Sequence, residues 1–176
     1  MKLRRIPALL LLLCLLAVPV TALAQDPAAA RRQIISERCQ SIRLLLDELQ
    51  RRGLVSRTNL GREYESTVRL FTAFNQRVRN NNINAQPFEQ LTAEFSDATN
   101  QFRSAYVEYD DSMIKLQGTD CQAKPGDFDT QLTETRRLRD ATEGAHTRAA
   151  ALAGQYRTQM VQLQSTLPDQ AAKETR

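Results

Sequence analysis

The sequence predicts an all-α fold, an elongated antiparallel three-helix bundle or coiled coil whose first helix is kinked or interrupted near residues 53–61. Composition is the first indication, because Gly and Pro number six each among 176 residues, Trp is absent, and helix-favouring residues dominate. Periodicity is the second, because apolar residues recur every three or four positions over most of the chain. These features are typical of long amphipathic helices joined by short turns.

The first 24 residues have the features of a secretory signal peptide. Three basic side chains lie within residues 2–5, residues 8–18 are apolar, and an Ala-Leu-Ala motif ends at Ala24. The apolar run is shorter than the roughly 20 residues that a membrane-spanning helix needs. We therefore predict export and cleavage between Ala24 and Gln25. Three of the 24 basic residues leave with the peptide, so 21 are left against 20 acidic ones.

The mature chain of about 152 residues has the length of one domain. Three apolar stripes with the spacing of packed helices divide it, over residues 27–80, 87–117 and 128–167. Pro168 is expected to end the last helix, because its ring and missing N–H oppose helix continuation. The sequence thus predicts one helical domain over residues 25–168 and a disordered tail over 169–176.

The segment 53–61 begins and ends with glycine and holds Ser56 and Thr58 as candidate helix caps. A full reversal there would give four antiparallel helices and place Cys39 and Cys121 about 30 Å apart. If the chain only kinks, a hairpin at residues 80–87 pairs Tyr64 with Phe102, Phe71 with Phe95, and Val78 with Phe88. That register brings Cys121 close to Cys39, so the kink is favoured over the reversal.

Cysteine usage predicts one disulfide. Cys14 lies in the signal segment, which leaves Cys39 and Cys121, and an even number of cysteines in an exported protein is typical of a structural bridge. A two-thiolate metal site or a redox pair is disfavoured, because the sequence has no C-x-x-C and its single histidine is His146.

Charge is distributed unevenly between neighbouring helices. Residues 28–80 hold eleven arginines and five acidic residues, whereas residues 87–117 hold two basic and six acidic residues. This predicts pairing of a basic helix with an acidic one. The alternative, a basic stripe for nucleic acid or an anionic surface, is disfavoured, because an exported protein rarely meets nucleic acid and the acidic helix cancels the field. The expected partner is a protein, and the membrane is expected only through the signal segment if it is uncleaved.

No constellation of catalytic, cofactor-binding or metal-ligating residues is found in the sequence. His146 has no companion residues for a triad or a zinc set, so we expect a solvated helix residue. Glu108, Asp110 and Asp111 fall within a helix rather than in a calcium-binding loop. Asp127 is expected to cap the last helix. We therefore expect no enzyme activity and no cofactor.

Residues 36–160 contain a characteristic series of cysteine, aliphatic, aromatic and arginine positions. They are Cys39 and Ile42, then Phe102, Tyr106 and Tyr109, then Cys121, then Phe128 and Leu132, and finally Arg136 and Arg139. In this pattern the chain resembles a group of small secreted helical proteins from candidate-phyla (Patescibacteria-type) bacteria that have a paired-Cys helical hairpin. It departs from them in its Asn-rich turn and its preference for Arg over Lys. The resemblance implies a helical architecture and secretion, and it implies no site.

Long amphipathic helices without site chemistry predict a secreted or cell-surface, non-enzymatic protein that acts through protein–protein contact, as a structural, adhesion or spacer element. One alternative is a periplasmic chaperone or envelope-binding module, which would expose a mobile apolar surface. Another is a bundle displayed from an uncleaved N-terminal membrane anchor.

Overall fold

A computed structural model describes the backbone of residues 26–174 and the side chains of residues 26–166. The signal segment and the cleavage position Ala24–Gln25 lie outside the described residues. The described part is all-α and contains helices α1 (Pro27–Glu37), α2 (Cys39–Asn80), α3 (Gln86–Gly118) and α4 (Pro125–Glu174). The predicted all-α class is therefore confirmed, and the helix packing is compatible with a bundle. The count of three helices is not confirmed, because the first predicted helix is divided into α1 and α2.

The interruption expected at residues 53–61 is wrong, because α2 continues through them and the break lies at Arg38 instead. Neither Gly53 nor Gly61 has the positive φ of a helix-ending glycine. Thr58 does not cap a new helix, since its Oγ1 donates to the Leu54 carbonyl within the same helix at 3.0 Å. The glycine at position 53 has a different explanation. A Cβ there would lie 2.8 Å from the Tyr106 hydroxyl oxygen, so the absence of a side chain lets Tyr106 approach α2.

Helix α3 is the central element of the bundle. Its Cα atoms come within 8 Å of both α2 and α4, whereas no such pair joins α2 to α4 within the described residues. The close approach of α3 and α4 is explained by small residues, since Ala98 and Ala149 are fully buried in the core. Large side chains span the wider gap between α2 and α4, where the rings of Phe71 and Tyr156 stack with centroids 3.6 Å apart.

The register predicted for the hairpin between α2 and α3 is confirmed by its aromatic pairs. The ring centroids of Tyr64 and Phe102 are 5.4 Å apart, and those of Phe71 and Phe95 are also 5.4 Å apart. Both pairs meet edge to face, the arrangement that aromatic quadrupoles favour. The chain reverses at the Asn-rich turn, where Asn82 takes a φ of 58° that asparagine tolerates well.

A second, smaller core lies at the end of the bundle where the cysteines meet. Leu46, Met113, Leu116 and Phe128 surround Cys121 there. Cys39 and Cys121 are paired at disulfide distance, with Cα atoms 5.5 Å apart. This pairing is incompatible with a chain reversal at residues 53–61, because it requires the start of α2 to lie beside the end of α3.

The last helix continues past Pro168 to Glu174, so the expectation that Pro168 ends it is wrong. Proline removes one backbone hydrogen bond, but its φ is close to the helical value, so the backbone can keep helical torsions. The tail predicted for 169–176 stays a prediction. Within the described residues, no helix is both long enough and apolar enough to cross a membrane.

Candidate interaction surface on helix α2

His146 is not the solvated residue that its sequence context predicted. It is half-buried, its Nδ1 shares a hydrogen bond with the Tyr64 hydroxyl, and its ring lies 6.3 Å from that of Phe102. The sequence contained no indication of this, because Tyr64 and His146 are 82 positions apart. The contact uses the histidine as a structural bridge between α2 and α4. Among the described residues no Ser, Cys or carboxylate is hydrogen-bonded to His146.

The acidic side chains do not converge on a cation site. Within residues 26–166, no group of three or more potential metal ligands is found. Asp120 accepts hydrogen bonds from the backbone N–H groups of Gln122 and Ala123 in the cysteine loop, and these bonds lower the pKa of its carboxyl group. Asp127 is not the expected cap, because α4 already begins at Pro125 and Asp127 lies within its first turn.

The buried polar side chains form hydrogen bonds within the bundle, and among the described side chains only Oε1 of Gln159 is buried without a partner. The Tyr156 hydroxyl donates to Oδ1 of Asn75 at 2.6 Å, and Nδ2 of Asn75 donates to Oγ1 of Thr92 at 2.8 Å. This chain of hydrogen bonds links all three long helices. Burial raises the pKa of Tyr156 to about 12. Ser112 and Thr135 form a similar buried pair at 2.8 Å. Because these groups satisfy each other, we assign them to the core rather than to a site.

The feature that the core does not explain is an apolar surface on α2. Five large apolar side chains within residues 44–55 are between 45% and 66% exposed, and Leu70 further along the same helix is 66% exposed. Soluble proteins rarely expose so many large apolar side chains close together, and such surfaces mark interaction sites. This segment is therefore a candidate contact surface. We call it the α2 apolar segment. Its members are Leu44, Leu45, Leu49, Leu54 and Val55.

The apolar segment follows from how α2 packs. Ile42 and Leu46 face the small core, whereas Leu44 and Leu45 lie on other sides of the helix and are 66% and 59% exposed. Leu49, three residues after Leu46, continues the apolar spacing of this helix but is 46% exposed and belongs to this surface. The sequence did carry an indication of it, because the run Leu44-Leu45-Leu46 is wider than an a/d stripe requires.

Helices α2 and α3 form fewer ion pairs with each other than their opposite net charges predicted. Between these two helices the described residues hold two ion pairs, Arg79 with Glu89 and Arg103 with Glu65, both at 2.9 Å. Only the first joins a basic residue of α2 to an acidic residue of α3. Arg51 and Arg52 instead bind Glu48 on their own helix. The surface of α2 thus combines exposed leucines with a surplus of arginine.

These observations define an all-α, helical-bundle protein with one paired-cysteine crosslink and a helix segment that exposes apolar and cationic side chains. No family model, curated protein or solved structure matches the chain. Function is therefore inferred from the surface itself.

Proposed function

We propose that this is a secreted or cell-surface, non-enzymatic helical protein that acts through protein–protein contact mediated by α2. The α2 apolar segment is the observation that carries the proposal. Clustered exposed apolar side chains mark interaction sites on protein surfaces, and the arginines beside them belong to a residue type that is enriched at protein interfaces. The bundle supports this surface with an aromatic core and a disulfide-distance cysteine pair.

The paired cysteines also support export. Disulfides persist in oxidising compartments and are rare in the cytosol, so the Cys39–Cys121 pair is consistent with an extracytoplasmic location. We propose that the signal segment is removed after Ala24. Mass spectrometry of the protein isolated from the producing cell tests this, and a molecule that still begins at Met1 would instead favour display from an N-terminal anchor.

The contact proposal is tested by cross-linking the protein in its native cell envelope, followed by isolation and mass spectrometry. We expect specific cross-linked species that are lost when Leu45 and Leu49 are both replaced by asparagine. The matched control is Val161→Asn with Val107→Asn, because these side chains are 59% and 44% exposed but lie on α4 and α3. Equal cross-linking by the two double variants would contradict the proposal.

A chaperone or envelope-binding module is the second candidate, because an exposed apolar segment also suits unfolded clients. A chaperone is expected to suppress aggregation of many unrelated denatured proteins and to bind an apolar dye strongly. A contact protein is expected to do neither, and to yield a small set of partners. Suppression of client aggregation that Leu45→Asn abolishes would favour the chaperone.

A further inference from the structure

One face of α2 has a symmetric arrangement of residue types. Between residues 45 and 70 of this helix, six exposed residues fall within about 60° of the helix circumference at 3.6 residues per turn. We call them the α2 strip. They are Leu45, Arg52, Ser56, Asn59, Glu63 and Leu70.

The intervals between consecutive members are 7, 4, 3, 4 and 7 residues, so the strip has a centre of symmetry between Arg57 and Thr58. The chemistry is arranged around the same centre. Leucines occupy both ends, the small polar residues Ser56 and Asn59 flank the centre, and opposite charges lie between them. An antiparallel second copy centred there would place Leu45 against Leu70, Arg52 against Glu63, and Ser56 against Asn59, each twice.

We propose that the α2 strip is the contact surface of a symmetric antiparallel dimer, with a second copy of this chain as its occupant. The proposal rests on the proposed function and names the partner of that surface. A parallel pair would oppose Arg52 to Arg52 and Glu63 to Glu63, so charge selects the antiparallel orientation. An unrelated partner would not require the strip to be complementary to itself.

The structure leaves the strip available for this contact. Leu45 and Leu70 are 59% and 66% exposed, so their burial in a dimer would stabilise it. Among the described residues Glu63 has no ion-pair partner. Arg52 binds Glu48 within its own helix, where the two side chains are 78% and 40% exposed. Exchanging one exposed ion pair for another costs little, since such pairs contribute only about 0–1 kcal/mol.

The small residues at the centre have a packing consequence. Ser56 and Asn59 allow the two helix axes to approach closely where they cross, while the longer side chains make contacts further out. Leu45, which is 59% exposed, belongs both to the strip and to the α2 apolar segment. The contact would therefore cover part of the α2 apolar segment.

The test is sedimentation velocity of the mature, disulfide-bonded protein over a wide concentration range. We expect a reversible dimer. Arg52→Glu and Glu63→Arg should each weaken the association constant about tenfold, because each change creates two like-charge contacts. The double variant R52E/E63R should restore it, since both pairs re-form with reversed sign. Arg62→Glu is the matched control, because Arg62 is exposed on α2 outside the strip, and it should leave association near the wild-type value.

Circular dichroism of each variant shows that the fold is kept. A wild-type protein that sediments as a monomer at every concentration would overturn the dimer, as would a double variant as weak as the single ones. Loss of association in R62E equal to that in R52E would also overturn the proposed register. The two proposals fail separately. A monomer that still loses its envelope cross-links on Leu45→Asn with Leu49→Asn contradicts the dimer and supports contact with a different protein.

Discussion

The Tyr64 hydroxyl on α2 shares a hydrogen bond with Nδ1 of His146 on α4 and joins two helices whose Cα atoms stay more than 8 Å apart in the described residues. Tyr156 makes the second such link, from α4 to Phe71 and Asn75 on α2. Both links pass beside α3, which packs closely against each of the other two helices. The distance between α2 and α4 is therefore set by long polar and aromatic side chains rather than by backbone contact.

Replacing Tyr64 by phenylalanine should lower the free energy of unfolding by about 1 kcal/mol, the usual net value of one hydrogen bond. The ring stays in place, so its contacts with Phe95 and Phe102 are kept. Urea denaturation followed by circular dichroism measures the change. Tyr109→Phe is the control, because the Tyr109 hydroxyl forms no hydrogen bond within the described residues. An equal loss in both variants would contradict a specific Tyr64–His146 contribution.

Stability should fall as the pH rises above 10, the ordinary tyrosine value, toward 12. Burial raises the pKa of Tyr64, Tyr106 and Tyr109, and raises that of Tyr156 to about 12. The unfolded chain loses these protons at lower pH than the folded one, so alkali favours unfolding. Because the protein has no Trp, near-ultraviolet absorbance follows tyrosinate directly. The tyrosines of the folded protein should ionise at higher pH than those of the denatured protein. Tyr156→Phe should remove the ionisation that occurs at the highest pH, near 12.

Removing the cysteine pair should destabilise the protein strongly. The bond joins positions 82 residues apart, for which chain entropy corresponds to about 4.5 kcal/mol. Cys39→Ala with Cys121→Ala should lower the melting temperature by many degrees while leaving helical circular dichroism at low temperature nearly unchanged. Adding reductant to the wild type should have a similar effect, and adding it to the double variant should have none. Two free thiols in the secreted protein would show that the bond is not formed.

The two glycines of the 53–61 segment should respond differently to alanine. A methyl group added at Gly61 would meet no atom within 4 Å, so Gly61→Ala should stabilise the helix by about 0.5–1 kcal/mol. At Gly53 the same methyl group meets the Tyr106 hydroxyl, which must move, so Gly53→Ala should gain less or lose stability. Thermal unfolding of both single variants, and of the double variant Gly53→Ala with Tyr106→Phe, separates the helix propensity of alanine from the steric effect of the Tyr106 hydroxyl. Equal gains at the two positions would contradict the close approach of Tyr106.

Parts of the site were accessible from the sequence and parts were not. The leucine run at 44–46 indicated an apolar surface wider than one seam, and the symmetric spacing of the α2 strip can be found in the sequence once its exposure is known. The environment of His146 was not accessible, because no local pattern relates it to Tyr64. The sequence also did not show which helix supplies the basic and which the acidic residue of each ion pair. Net charge per helix does not determine which individual side chains come within reach of each other.

The sequence by itself determined the helical class, the aromatic register of α2 against α3, and the partners in the cysteine pair. The first two depend on hydrophobic periodicity and loop length, and the cysteine partners follow from the two cysteines that are left once Cys14 is assigned to the signal segment. Tertiary structure alone decided that the helix continues through Gly53 and breaks at Arg38, and that α3 rather than α2 is central. Glycine permits both a helix end and a close approach. Only the position of Tyr106 beside Gly53, which the packing of α3 on α2 creates, selects between them.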